Sequence, residues 1–301
     1  MAAPEHVPSP GVRRTTLDAG STRLSALICV PADTAPRATV VALHGGGTGA
    51  AYFDGRAHPA LSLLTLGARL GYAVVALDRP GYGSSAAALP EGQCLAEQVT
   101  TVTTALEDLA ARHDVGAGLF LLAHSYGGSL ALTAAAGPAG PGYLGVDVSG
   151  CGHRFAPGTG RDGGGDGRGG GRAAHWKKYW GPLRLYPDGT FSSGGLMQPM
   201  PPRESDDTPH WPDRFPHVAA RVRTPVRLTF AEHEQWWCHD DDSLGEIAAL
   251  FVNAPRVVVE RHLRAGHNIS LGATARAYHL KALAFLEECL AAAPVPAAAE
   301  R

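Results

Sequence analysis

The chain has 301 residues, 45% of them hydrophobic, and a formal net charge of −2. That length suits one large α/β domain or two small ones, and the apolar share is enough for a full core. With no basic excess to neutralise phosphates, the composition argues against nucleic acid as a partner.

In chain order, residues 1–14 read as a disordered, proline-rich arm without the apolar segment that directs secretion. Leu24 to Val30 and Thr39 to Leu43 read as strands, the second wholly apolar. Leu61 to Leu70 reads as a helix and Ala73 to Leu77 as another buried strand. Leu95, Val99, Val102, Leu106 and Leu109 recur at helical spacing and mark an amphipathic helix. The run Leu119-Phe120-Leu121-Leu122 leads into Ala123-His124-Ser125-Tyr126-Gly127-Gly128 and then small residues to Ala136, which spells strand, tight turn and helix. Strands follow at Tyr143 to Val148, Val226 to Phe230 and Val257 to Glu260, with helices around Leu244 to Phe251 and Ala273 to Ala292.

This alternation predicts a mostly parallel sheet covered on both faces, with any site at the carboxyl ends of the strands. It breaks over 151–222, a stretch rich in glycine, proline and tryptophan. That segment reads as a cap laid over a core made of 15–150 and 223–293, too irregular to be a domain of its own. Within it, the glycine-rich loop 158–172 lacks the GxxxxGK[ST] pattern of a phosphate cradle. Residues 294–301 read as a C-terminal tail. The cysteines Cys29, Cys94, Cys151, Cys238 and Cys289 form no CxxC pair, so free thiols in a reducing compartment are expected. No apolar run approaches a membrane span. A cytoplasmic protein with no membrane partner follows as the expectation.

Ser125 stands where a strand turns into a helix. A serine there projects clear of the backbone beside a helix N-terminus, where a developing oxyanion is stabilised. The competing reading is a serine that merely caps the helix. His44-Gly45-Gly46-Gly47 follows another strand end, where glycines turn amide N–H groups toward a ligand. Gly46 is the preferred oxyanion donor beside the amide of Tyr126, with Gly45 and Gly47 also open. Asp78-Arg79-Pro80-Gly81-Tyr82-Gly83-Ser84-Ser85 reads as a structural turn. His267, after the last strand, is placed to act as general base. An acid that orients it belongs after Phe230, which favours Glu234, with Glu232 and then Asp147 as runners-up.

The other candidates are blander. His6, His113, His175 and His279 read as surface positions. His239-Asp240-Asp241-Asp242 reads as a helix start rather than a metal site, since consecutive carboxylates satisfy free N–H groups there. Of the tryptophans, Trp236, Trp237, Trp176 and Trp180 are candidate pocket residues, as is His124 beside the serine.

Taken together, His44 to Gly47, Asp78 to Ser85, the elbow Ala123 to Gly128, the acid turn Ala231-Glu232-His233-Glu234 and Gly266-His267 make the chain resemble the α/β-hydrolase superfamily over about residues 15–290. The resemblance implies the α/β-hydrolase fold, an eight-stranded, mostly parallel sheet with helices on both faces and a cap inserted after strand 6. Ala123, in place of the usual glycine, and a glutamate acid are departures that remove no catalytic atom. The activity implied is a serine hydrolase acting on a small-molecule ester or thioester, without metal or cofactor. An acyltransferase, lyase, carbon–carbon hydrolase or product-release thioesterase would use the same triad, and a non-enzymatic receptor is the third class.

Overall fold

The structure, a computed structural model, describes residues 6–159, 176, 178–192 and 194–292. His175, residues 160–172 of the glycine-rich loop and the 294–301 tail lie outside the described residues. The strands are β1 (Arg13–Asp18), β2 (Arg23–Cys29), β3 (Thr39–Leu43), β4 (Ala73–Leu77), β5 (Leu119–His124), β6 (Tyr143–Ser149), β7 (Val226–His233) and β8 (Val257–Gly266). They form one sheet in the order β1-β2-β4-β3-β5-β6-β7-β8. β2 runs antiparallel to both β1 and β4, and all other neighbours are parallel. The helices are α1 (Leu63–Arg69), α2 (Leu95–Arg112), α3 (Tyr126–Ala135), α4 (Pro202–Asp207), α5 (Trp211–Ala219), α6 (Asp241–Ala249) and α7 (Ala275–Ala292).

The period-two geometry of a strand sends successive side chains to opposite faces. Val40, Ala42, Val74 and Ala76 therefore pack with Leu63 and Leu64 of α1 and Ala282, Leu283 and Leu286 of α7. Val41, Leu43, Val75 and Leu77 pack with residues of α2, α3 and α5 on the other face. Two-sided burial explains why these strands carry continuous apolar runs rather than alternation. Among the described residues, no helix is long and apolar enough to cross a membrane.

Four expectations change. The stretch read as an arm through residue 14 already contains the start of β1, which pairs along its length with β2. Only Leu17 of that strand is buried, so an edge strand of this kind leaves almost no apolar signature. His6 is buried, not exposed, and its ring meets the buried Asp54 carboxylate at 3.0 Å, which also accepts the Ser9 N–H at 2.8 Å. His279 is likewise fully buried within α7, and burial pushes its pKa down to about 3. The 151–222 segment also divides. Trp211, Phe215 and Ala219 of α5 join the core cluster on one face of the sheet, and Trp180, Leu185, Tyr186 and Leu196 join the cluster on the other, while Met197 bridges to Thr48 and Phe155 to Trp237.

Candidate active site

The elbow forms because β5 ends at His124 and α3 begins at Tyr126, leaving one residue to reverse direction. That residue, Ser125, has φ 53° and ψ −122°, a conformation costly for a side chain with a Cβ. Its N–H donates to the Ser149 carbonyl at 2.8 Å, which ties the elbow to the end of β6. The turn requires close approach. A Cβ at Gly127 would overlap the carbonyl oxygens of Leu43 and His44, so only glycine fits there. Ala123 is fully buried and accommodated with its methyl.

Three strand ends bring three side chains into one line. The Ser125 hydroxyl lies 3.2 Å from His267 Nε2, and His267 Nδ1 lies 2.8 Å and 3.0 Å from the two oxygens of Glu234. Glu234 Oε1 also accepts the N–H groups of Gln235 at 3.0 Å and Trp236 at 2.9 Å. Burial alone would raise the Glu234 pKa, but the nearby His267, its hydrogen bond and the Trp236 N–H outweigh it and hold the carboxyl below its ordinary value. The acid thus stays ionised in a dry site and fixes the proton of His267 on Nδ1, leaving Nε2 to accept from the serine.

The runner-up acids are engaged elsewhere. Glu232 is exposed and accepts the Arg264 N–H at 2.6 Å. Asp147 is fully buried between Arg227, with which it pairs, and the Tyr278 hydroxyl, which donates to it at 2.9 Å.

The aromatic candidates separate as well. His124 is buried behind His267, stacked on Tyr52 at 4.7 Å and tilted against His267 at 4.7 Å. Burial and the neighbouring His267 lower its pKa strongly, so it packs as a neutral ring against the base instead of lining an open pocket. Trp180 is fully buried among Tyr186 and Phe191, and Trp237 stacks on Phe155 while donating to the Gly150 carbonyl at 2.8 Å. Both are packing residues here. Trp236 is half-buried with its ring 6.4 Å from that of His267, whereas Trp176 is exposed and leans on Trp180 and Phe191. Asp240 caps α6 by accepting the Ser243 N–H at 2.9 Å, as the run of acids suggested.

The glycine loop after β3 lies against the elbow. A Cβ on Gly45 would sit 3.0 Å from the Ser125 Cβ, and one on Gly46 would sit 3.1 Å from Met200 Sδ of the cap. Gly47 already donates its N–H to the Tyr82 hydroxyl at 3.1 Å. Beneath the loop lie residues the sequence reading missed as parts of the site. Arg79 and Glu204, both fully buried, form a two-pronged ion pair at 2.6 Å and 2.9 Å. Tyr179 of the cap donates its hydroxyl to the Gly46 carbonyl. The Asn268 side chain, one residue past His267, donates to the Tyr179 carbonyl at 2.8 Å. Arg79 stood in a recognised turn motif, but nothing in the irregular insertion singled out Glu204 or Tyr179.

No curated protein matches the sequence. Among solved structures, the chain is similar to a thermostable carboxyl esterase from Bacillus coagulans (TM-score 0.68, 14% identity, 93% of this chain and 99% of that one). It is similar to an enol-lactonase from Burkholderia xenovorans (0.67, 15%, 91% and 100%). It is also similar to a monoacylglycerol lipase from Paleococcus ferrophilus (0.65, 17%, 89% and 100%). At such identities the likeness is one of fold. Residues 40–278 match the sequence model of the Alpha/beta hydrolase family, and the chain belongs to that family.

Proposed function

We propose that the chain is a serine hydrolase that cleaves a carboxylic ester or thioester of a small to medium apolar substrate through an acyl-enzyme. The observation that carries this reading is the line Ser125–His267–Glu234, with the serine on a strained elbow and the acid buried. Ser125 Oγ attacks the substrate carbonyl while His267 Nε2 takes its proton. The imidazolium is held by Glu234, and then returns the proton to the leaving alcohol or thiol. Water deacylates the serine by the same route in reverse.

The oxyanion of each tetrahedral intermediate falls to the N–H groups of Tyr126 and Gly46. The Ser125 N–H is committed to Ser149 and the Gly47 N–H to Tyr82, so neither of those amides serves that role. Tyr126 also opens α3, so the helix N-terminus adds its positive end. Losing one such donor costs about 2.7–4 kcal/mol of transition-state stabilisation. Trp236 near His267 and Met200 near Gly46 give the reacting atoms apolar neighbours, which supports an apolar acyl group or alcohol. The similar structures, a carboxyl esterase, an enol-lactonase and a monoacylglycerol lipase, support ester chemistry.

A fluorophosphonate probe with mass-spectrometric mapping tests the reading. Labelling at Ser125, its loss in Ser125→Ala, and a fall in ester turnover on the order of 10⁶ are expected. Near-normal turnover by Ser125→Ala would falsify the assignment.

A further inference from the structure

We propose that Arg79, clamped by Glu204 of the cap, is a positioning residue that sets the direction of the Gly46 N–H and so makes the oxyanion site depend on the cap. The inference rests on Gly46 being an oxyanion donor. A trans peptide is planar, with its C=O and N–H pointing in opposite directions. The Gly45 carbonyl and the Gly46 N–H belong to one such peptide, so whatever grips the carbonyl aims the amide.

Three donors grip it. Arg79 Nη2 lies 3.1 Å from Gly45 O, Thr48 Oγ1 3.1 Å and His44 Nδ1 2.8 Å. His44 serves as a donor because its other nitrogen, Nε2, accepts the backbone N–H of Arg79 at 3.0 Å. Arg79 Nε also donates to the His44 carbonyl at 2.7 Å. One residue therefore anchors two successive carbonyls and the imidazole between them, and the Gly46 N–H is turned away from the guanidinium.

The other prong of the guanidinium fork is filled by the cap. Nη1 donates to Glu204 Oε2 at 2.6 Å and to Gln98 Oε1 at 2.8 Å, and Nη2 to Glu204 Oε1 at 2.9 Å. The Tyr82 hydroxyl donates to the same Oε1 at 2.8 Å while accepting the Gly47 N–H. Gln98 Nε2 completes the shell on Oε2 at 3.2 Å. A fork filled in this way has one geometry, which lysine cannot reproduce. Two further cap contacts reach the loop, Tyr179 on the Gly46 carbonyl and the Gln198 N–H on the Gly47 carbonyl at 3.0 Å. A cap that shifts would pull Glu204 off Arg79 and release the peptide that aims the amide.

The test compares an aryl ester with its thionoester. Sulfur accepts hydrogen bonds poorly, so the ester-to-thionoester rate ratio reports the oxyanion donors rather than the amount of folded protein. Two variants are measured after fluorophosphonate titration of active sites. Arg79→Lys keeps a cation opposite Glu204 but cannot span both carbonyls. Arg79→Met/Glu204→Leu replaces the buried ion pair by apolar residues, an exchange that is often neutral for stability. In both, ester kcat is expected to fall by about 10–100-fold, short of the ~10²–10³ of a deleted donor, with KM changed by less than about threefold and the ratio collapsing. A wild-type ratio in either folded variant, or an equal fall on both substrates, overturns the clamp. Failure of the wild-type Ser125 to label is a separate result, which overturns the underlying serine-hydrolase reading.

Discussion

Glu234 and Glu204 are both buried near Ser125, yet their partners make them different tools. Glu234 faces the imidazole that carries the proton in the proposed mechanism, and its Oε1 also accepts the two amides just after it in sequence. Glu204 faces a guanidinium that does not titrate, and its contacts come from Arg79, Tyr82 and Gln98, all far away in the chain. A carboxylate on a titrating partner tunes a proton transfer. A carboxylate on a fixed cation holds a shape. The first arrangement is assembled from strand-end turns of the sheet, and the second needs the cap to be in place.

Breaking Glu234, its neighbour Glu232 and then the Arg79–Glu204 clamp separates the two roles. Glu234→Gln should cost kcat on the order of 10³–10⁴-fold with little change in KM, because the amide no longer fixes the His267 proton on Nδ1. Glu232→Gln should stay within about twofold, since that side chain only accepts the Arg264 N–H. Steady-state kinetics on one nitrophenyl ester checks both, and equal losses would dissolve the distinction between the two acids. The Arg79 variants come next, at about 10–100-fold in kcat, with their effect confined to the ester side of the ester/thionoester pair.

Smaller effects sharpen the contrast between site and scaffold. His279 is buried with no hydrogen-bond partner for either ring nitrogen among the described residues, and its folded pKa is near 3, against an ordinary 6.5. As pH falls below 6.5 the unfolded chain takes a proton that the folded chain refuses, so stability is lost with acidification. From pH 7 to pH 5 this one group removes about 2 kcal/mol, and His279→Leu should shrink the drop by that amount in urea titrations. An unchanged pH dependence would show that the ring finds a partner on folding. Asp240→Ala, which deletes the cap of α6, should lower stability by about 1 kcal/mol and Tm by about 2 °C while leaving kcat alone.

The same contrast explains what could be read from the sequence. The apolar runs of β3, β4 and β5 announced a two-sided sheet, because burial on both faces leaves no polar alternation. Ser125, His267 and Glu234 were legible because each follows a strand end, and parallel strands deliver their carboxyl ends to one rim. β1 was not, because a single buried leucine carries no pattern. Neither was Glu204, whose significance lies wholly in a partner 125 residues earlier. Trp180, Trp237 and His124 misled for a related reason. A large aromatic near a strand end has the same sequence signature whether it lines a cleft or props up the residue that does.

The central claim is an acyl-enzyme on Ser125, and pre-steady-state kinetics with an aryl ester tests it most directly. Rapid mixing should release a burst of phenolate stoichiometric with enzyme, and peptide mapping of the quenched sample should place the acyl group on the Ser125 peptide. Sustained turnover by wild type, with no acyl group on that peptide at any time and a Ser125→Ala variant as fast as wild type, would contradict it.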